Sequence, residues 1–324
     1  MNRKGALIAG VLAMALATAA CGSGGSSSSA SGGSYKLAFV PGVIGDAFYV
    51  TMQCSIQDEA KKLGATVTTS GPQKFDPTLQ RPVLQSVIAA QPNAILIAPD
   101  DVSAMQQPVQ QAVSANIKLV LVDTTLKDPS IAASAISSDN TGGGKAAFSA
   151  IKQLAPGGGK VLVVSVSPGV STTDARSQGF DAAAKADSAY TDLGTQYDND
   201  DPQQAAQIVT AELQAHPDIV GIFAANLFSA EGAATGVRQA GKQGKVKIVG
   251  FDAEPDEVQA LQAGTVQALV AQQPSLIGKD GVDQAIAALK GQPTTKSIGT
   301  GFTVLTAANL NTPAGQAAIY KTKC

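Results

Sequence analysis

Tryptophan is absent from the 324 residues, and His216 is the single histidine. There are only three cysteines, and acidic and basic side chains nearly cancel, 25 against 23. Each shortage closes a class of function. A lone histidine in an HPD turn, with no nucleophile-elbow serine, is expected to be structural, the alternative being the histidine of a hydrolase. One histidine and three scattered cysteines do not supply an ordinary zinc site. The glycines at 142–144 and 157–159 lack the Lys-Ser/Thr that completes a phosphate-binding loop. A net charge of −2 offers no basic face for nucleic acid. The expectation is a protein with no catalysis, no metal and no cofactor. Aromatics make up only 4% and glycine is plentiful, so the helices are expected to pack closely through small side chains.

The one long apolar run stands at the start. Asn2-Arg3-Lys4 precedes an apolar stretch from Gly5 to Ala20, and Thr18-Ala19-Ala20-Cys21 follows. This has the form of a secretory signal peptide with a lipobox-like end, too short to serve as an ordinary membrane span. Thr18 stands where a lipobox usually has Leu. Residues 22–34 form a Gly/Ser linker, as expected of a tether between a lipidated Cys21 and a folded body; the alternative is a cleaved, freely secreted protein. With Cys21 lipidated, Cys54 and Cys324 remain. Outside the cytoplasm such a pair is predicted to form a disulfide, two unpaired thiols being the other outcome.

The body alternates short apolar runs with helical patterns. ILIAPDD, a helix and KLVLVD in the first half are matched by IVGIFAAN, a helix and VKIVGFD in the second. Strand–helix–strand units of this length predict parallel sheets with right-handed crossovers, here in two similar α/β, Rossmann-like halves. Ligands of such sheets bind beyond the carboxyl ends of the strands. Asn226, Asp252 and Gln272 fall at three such ends and Asp123 at a fourth, equivalent to Asp252. Amides and carboxylates together suit a neutral, hydroxyl-rich ligand.

FAAN, VGFDAEPD and VAQQP resemble, in order and spacing, the ligand segments of the ribose/galactose-type periplasmic binding proteins, the substrate-binding subunits of sugar ABC importers. The resemblance runs from about Tyr35 almost to the C-terminus. It implies two lobes, residues 35–139 with 273–302 and residues 140–272 with 303–324, joined by a hinge that the chain crosses three times. It also implies a ligand held in the interlobe cleft, and ABC permease subunits as partners of the closed form. A sugar-responsive repressor of the same fold would need a DNA-binding helix pair where the signal peptide stands.

The resemblance carries over residue by residue. Asp46, Phe48 and Tyr49 follow the first strand; the aromatics either face a sugar ring or pack at the start of the helix, and Asp46 can cap that helix. Asp123 is expected to accept sugar hydroxyls, or to cap the next turn. Thr124 and Asp174 stand where ribose binders carry arginines, which argues against ribose in its usual pose. Arg176 is expected to contact ligand, with a salt bridge to Asp174 as the alternative. Phe251 either stacks on the ligand or sits in the core. Thr172 or Thr173 is expected to cap its helix, and Asp198-Asn199-Asp200 to be a solvated acidic turn. The expected protein is a monomer outside the cytoplasm, attached to the membrane by lipid alone, that captures a monosaccharide or sugar alcohol. Two other roles would use a similar body: a sugar-sensing subunit for a membrane receptor, or a cell-surface hydrolase.

Overall fold

The computed structural model describes residues 34–324. The signal segment, Cys21 and all but the last residue of the linker lie outside the described residues. Along the chain run β1 (Lys36–Val40), α1 (Ala47–Lys62), β2 (Thr66–Thr69), α2 (Pro77–Ala89), β3 (Ala94–Ile97), α3 (Gln106–Ser114), β4 (Lys118–Val122) and β5 (Ser134–Ser138). They are followed by α4 (Asn140–Leu154), β6 (Gly159–Ser165), α5 (Ser171–Lys185), β7 (Tyr190–Tyr197), α6 (Pro202–Ala215), β8 (Ile219–Ala224), α7 (Leu227–Gln239) and β9 (Lys247–Phe251). The last elements are α8 (Pro255–Gln262), β10 (Ala268–Ala271), α9 (Pro274–Leu289), β11 (Ser297–Thr300), β12 (Thr303–Leu305) and α10 (Pro313–Ala317).

Two six-stranded sheets result. One has the order β11-β5-β4-β3-β1-β2, the other β12-β10-β9-β8-β6-β7. Every pairing is parallel except β10 with β12. The predicted α/β class with two similar parallel sheets is the observed one, and the strand orders superpose so that β4 and β9 take the same place. The chain passes between the sheets after β5, after β10 and between β11 and β12.

Local chemistry explains the element ends. Asp46 caps α1 by accepting from the Phe48 and Tyr49 amides, and Gly64, at φ +73, ends its last turn. Asp76 caps α2 with Pro77 at the first helical position. Pro108 falls in the first turn of α3, where a missing N–H costs nothing, so that helix starts late and is not broken. The expected cap of α5 differs: Val170 holds the cap position without a side-chain bond, and Thr172 and Thr173 lie inside the first turn.

Helices pair where glycine removes a side chain. A Cβ at Gly144 of α4 would collide with the Arg176 carbonyl of α5, and one at Gly278 of α9 would lie 2.6 Å from the Met52 carbonyl of α1. Close approach of this kind is how a chain poor in aromatics fills its core. Cys54 on α1 is bonded to Cys324, S–S 2.08 Å. A cross-link closing so long a loop typically stabilises by about 2–4 kcal/mol. No helix among the described residues is long and apolar enough to cross a membrane.

Candidate ligand-binding site

The carboxyl ends of the strands of both sheets face a small, partly open cavity. Its lining includes Asp46, Phe48, Tyr49, Asp123, Arg176, Asn226, Asp252 and Gln272. Its volume is about 50 Å³, room for the centres of roughly four waters at ~10–15 Å³ each.

Asp123 follows β4 and Asp252 follows β9, both with left-handed backbones, φ 64 and φ 94. At each strand end the main chain turns sharply, and the side chain is directed into the cleft. The Tyr49 hydroxyl donates to Asp123 Oδ2 at 2.8 Å, while Oδ1 is buried without a partner. Asp252 Oδ1 accepts from Gln272 Nε2 at 2.6 Å and from the Tyr320 hydroxyl at 3.0 Å. Gln272 Oε1 accepts from Ser138 Oγ at 2.8 Å, so this side chain is held from both sheets. Each carboxylate thus has one oxygen fixed by the protein. The buried Asp123 Oδ1 is an acceptor awaiting a donor.

Arg176 is 3% exposed. Its Nε donates to Asn140 Oδ1 at 2.9 Å, and an Nη donates to the Ala225 carbonyl at 2.7 Å. The guanidinium lies 3.7 Å above the Phe251 ring centroid, a cation–π seat. Burial pushes Asp123 up to about 6, against the downward pull of Arg176 and of the Tyr49 hydroxyl. Burial likewise raises Asp252, opposed by Arg176, Gln272 and Tyr320. Asp46 is raised well above the usual carboxylate range by burial and by the charges of Asp252 and Glu254. The cavity is therefore acidic, with one cation.

Three of the expected residues do not line it. Thr124 is buried behind Asp123, its amide donating to the Val122 carbonyl. Asp174 accepts from the Gly169 amide at 2.9 Å and forms no ion pair with Arg176. Phe251 is fully buried in the second sheet's core and reaches the site only as the platform under Arg176. Asn226 lines the cavity, but its side chain is engaged: Oδ1 caps α7 at the Ser229 amide, and Nδ2 donates to Asp200 Oδ1 at 2.6 Å.

Other residues join the site without having been expected there. Thr172, Thr173 and Asp200 line the cavity, as do Val43, Phe75, Val166 and Val170. The acidic turn is not solvated throughout. Asp198 is fully buried and accepts from Ser229 Oγ, and burial pushes Asp200 up to about 6. The positive φ of Asn199 and Asp200 marks the tight turn that folds this segment inward. Tyr320, behind Asp252 and Gln272, carried no sequence signal.

Three hydrogen bonds also join residues of the two halves. The Ala47 amide donates to Glu254 Oε1 at 2.9 Å, the Val102 amide to the Gly169 carbonyl at 3.0 Å, and the Thr125 amide to Ser171 Oγ at 2.9 Å.

Comparison with known proteins gives this architecture its family. The model of the periplasmic binding protein domain matches residues 37–293. The ribose import binding protein RbsB of Escherichia coli K12 is 32% identical over 256 residues, covering 79% of this chain and 85% of the relative. Among solved structures, an ABC transporter solute-binding protein of Agrobacterium vitis bound with α-D-tagatopyranose is 40% identical. It has a TM-score of 0.87 and covers 89% of this chain and 99% of that one. A second A. vitis solute-binding protein, with bound D-fucose, is 29% identical at TM-score 0.83, covering 88% and 100%. The relatives are extracytoplasmic binding proteins of import systems and not enzymes. The chain belongs to the periplasmic binding proteins, as a type I sugar-binding member of the kind that serves ABC transporters.

Proposed function

We propose that the cavity captures one neutral monosaccharide or sugar alcohol and that the closed, loaded form delivers it to an ABC permease. The observation that carries this is the pairing of held and free carboxylate oxygens. Asp123 offers a buried, unpartnered Oδ1, and Asp252 has Oδ1 fixed by two donors while its side chain still faces the cavity. Charge-assisted bonds from sugar hydroxyls answer that deficit of donors. Phe48, Tyr49 and Phe75 supply apolar surface for the C–H face of a ring. The small volume favours a single ring over a disaccharide. Ligand contacts from Asp46, Phe48, Tyr49, Asp123, Arg176, Asp252 and Gln272 complete the proposed set, with Asp200, Thr172 and Thr173 added to it. Thr124, Asp174 and Phe251 support the wall from behind.

The relatives with bound tagatopyranose and D-fucose and the ribose import protein make these three sugars the first probes. A thermal-shift screen of residues 34–324 with them, and with alditols, cyclitols and amino acids, tests the assignment. Ligand at 100 times its dissociation constant adds about 2.7 kcal/mol of stability, a visible shift. Stabilisation by sugars or polyols is expected; a response only to amino acids would overturn it.

The body is proposed to act as a monomer tethered through lipid on Cys21, supported by the lipobox-like segment and the Gly/Ser linker. In cells the chain is expected in the membrane fraction, and Cys21→Ala in the medium or periplasm; an unchanged distribution would sink the anchor.

A further inference from the structure

Tyr320 belongs to neither sheet, yet it is 4% exposed and touches the heart of the cavity wall. Its hydroxyl accepts from the Gln272 amide at 2.8 Å and donates to Asp252 Oδ1 at 3.0 Å. A phenol has one proton to give. With the lone pair facing the Gln272 N–H, that proton is committed to the carboxylate. Asp252 Oδ1 then holds two donors, Tyr320 and Gln272 Nε2, which fixes the rotation of the carboxylate and aims Oδ2, without a donor among the described residues, away from them. The same hydroxyl pins the backbone at Gln272, whose side chain reaches Ser138 across the crossing point.

The tail that carries Tyr320 is itself fastened at both ends. It leaves the second sheet after β12, and the Tyr320 amide donates to the Ala253 carbonyl at 3.0 Å. The ring packs 5.9 Å from that of Phe48, at the start of α1. One residue later the Lys321 amide donates to Thr51 Oγ1 at 2.6 Å, and Cys324 is bonded to Cys54 on the same helix. The tail is thus a fourth connection between the halves, closed by a covalent bond. It passes directly behind the two side chains expected to grip the sugar.

We propose that Tyr320 is a positioning residue for ligand capture, orienting Asp252 and Gln272, and that the Cys54–Cys324 disulfide holds it in place. This rests on the cavity being the sugar site. Tyr320→Phe keeps the ring against Phe48 and removes only the hydroxyl. D-tagatose, D-fucose and D-ribose are titrated calorimetrically into the wild type, Tyr320→Phe and the double variant Cys54→Ser/Cys324→Ser, at a temperature where all three are folded. In parallel, hydrogen exchange at the Gln272 amide is followed by NMR without sugar.

Loss of a hydrogen bond to a charged group predicts dissociation constants raised about ten- to a hundredfold in Tyr320→Phe. The ligand-free melting midpoint should fall modestly, because the buried Gln272 amide loses its acceptor, and exchange at Gln272 should be faster. The double variant should show weaker binding and faster Gln272 exchange in the same sense. Wild-type binding that Tyr320→Phe retains in full, with Gln272 exchange unchanged, would overturn the positioning role alone. Unchanged exchange and affinity in the double variant would overturn the role of the disulfide. Where none of the three binds the wild type, the sugar or polyol that stabilises it in the thermal-shift screen takes their place in the titration; a wild type stabilised by no sugar or polyol would overturn the sugar site and this proposal together.

Discussion

At the scale of single residues, the site depends on Asp123 and Asp252, which share with Asp200 of the same cavity a left-handed backbone that residues other than glycine seldom adopt. Asp123 and Asp252 sit at φ 64 and φ 94, where an L-residue loses about 1–2 kcal/mol. Such strain persists where a site requires it. Asp252→Gly is therefore informative: it relieves the backbone while leaving Tyr320 and Gln272 Nε2 without their acceptor, about 1–3 kcal/mol for each donor. Relief of strain offsets part of this, so the ligand-free melting midpoint should fall only modestly, while sugar affinity falls by about two orders of magnitude or more. A large drop in the midpoint would show Asp252 to be a structural residue. Both aspartates and Gln272 were legible because parallel strands deliver their carboxyl ends to one side of a sheet. Thr172 and Thr173 were misplaced as caps because hydroxyl residues before a helical pattern usually are caps; the helix begins earlier, at Ser171, and turns both toward the cavity. Asp200 was hidden by composition, since consecutive acids resemble a solvated turn until a buried Asp198 and left-handed neighbours fold them inward.

At the scale of elements, legibility followed apolarity. AILI of β3 and KLVLV of β4 are buried nearly throughout, and such runs declare themselves as inner parallel strands. SAISS of β5, SIGT of β11 and TVL of β12 do not. They are short, polar and held in place by their neighbours, so pairing context and not propensity makes them strands. The helix pairs were foreseeable only as a tendency toward small residues. Position 144 decides how closely α4 approaches α5, and that approach seats Arg176 and its partner Asn140 side by side. A side chain at Gly143 would meet the Phe251 ring at 2.7 Å, so the platform beneath the guanidinium depends on the same glycine-bearing turn.

At the scale of the whole molecule, the cleft sets like charges against each other. Asp46 and Asp123 come from the half containing the first sheet; Asp200, Asp252 and Glu254 come from the other. After burial, the charges of Asp252, Glu254 and Asp200 are what raise Asp46, and Asp252 also raises Asp123. Arg176 is the one cation among the described lining residues, and hydrogen bonds from Tyr49, Gln272 and Tyr320 add to its opposition. Closing the cleft without ligand therefore favours proton uptake, because water in an opened cleft returns these carboxyls toward their ordinary value of 3.8. For Asp123 the gap between 3.8 and about 6 corresponds to roughly 3 kcal/mol below pH 3.8 and to about half of that at pH 5, still a large part of the few kcal/mol that separate two conformers of a hinged protein. The sign follows from linkage: the closed form binds more protons, so its share rises as pH falls through about 6 and declines above it. Sugar hydroxyls act oppositely on the charge, stabilising ionised carboxylates in the closed form. Small-angle scattering of residues 34–324 without sugar should accordingly give a smaller radius of gyration at pH 5 than at pH 8. Saturating sugar at pH 8 should restore the smaller value. Equal radii at the two pH values without sugar, with contraction on adding it, would mean that repulsion among these acids does not hold the empty cleft open and that the hinge geometry alone sets its resting angle.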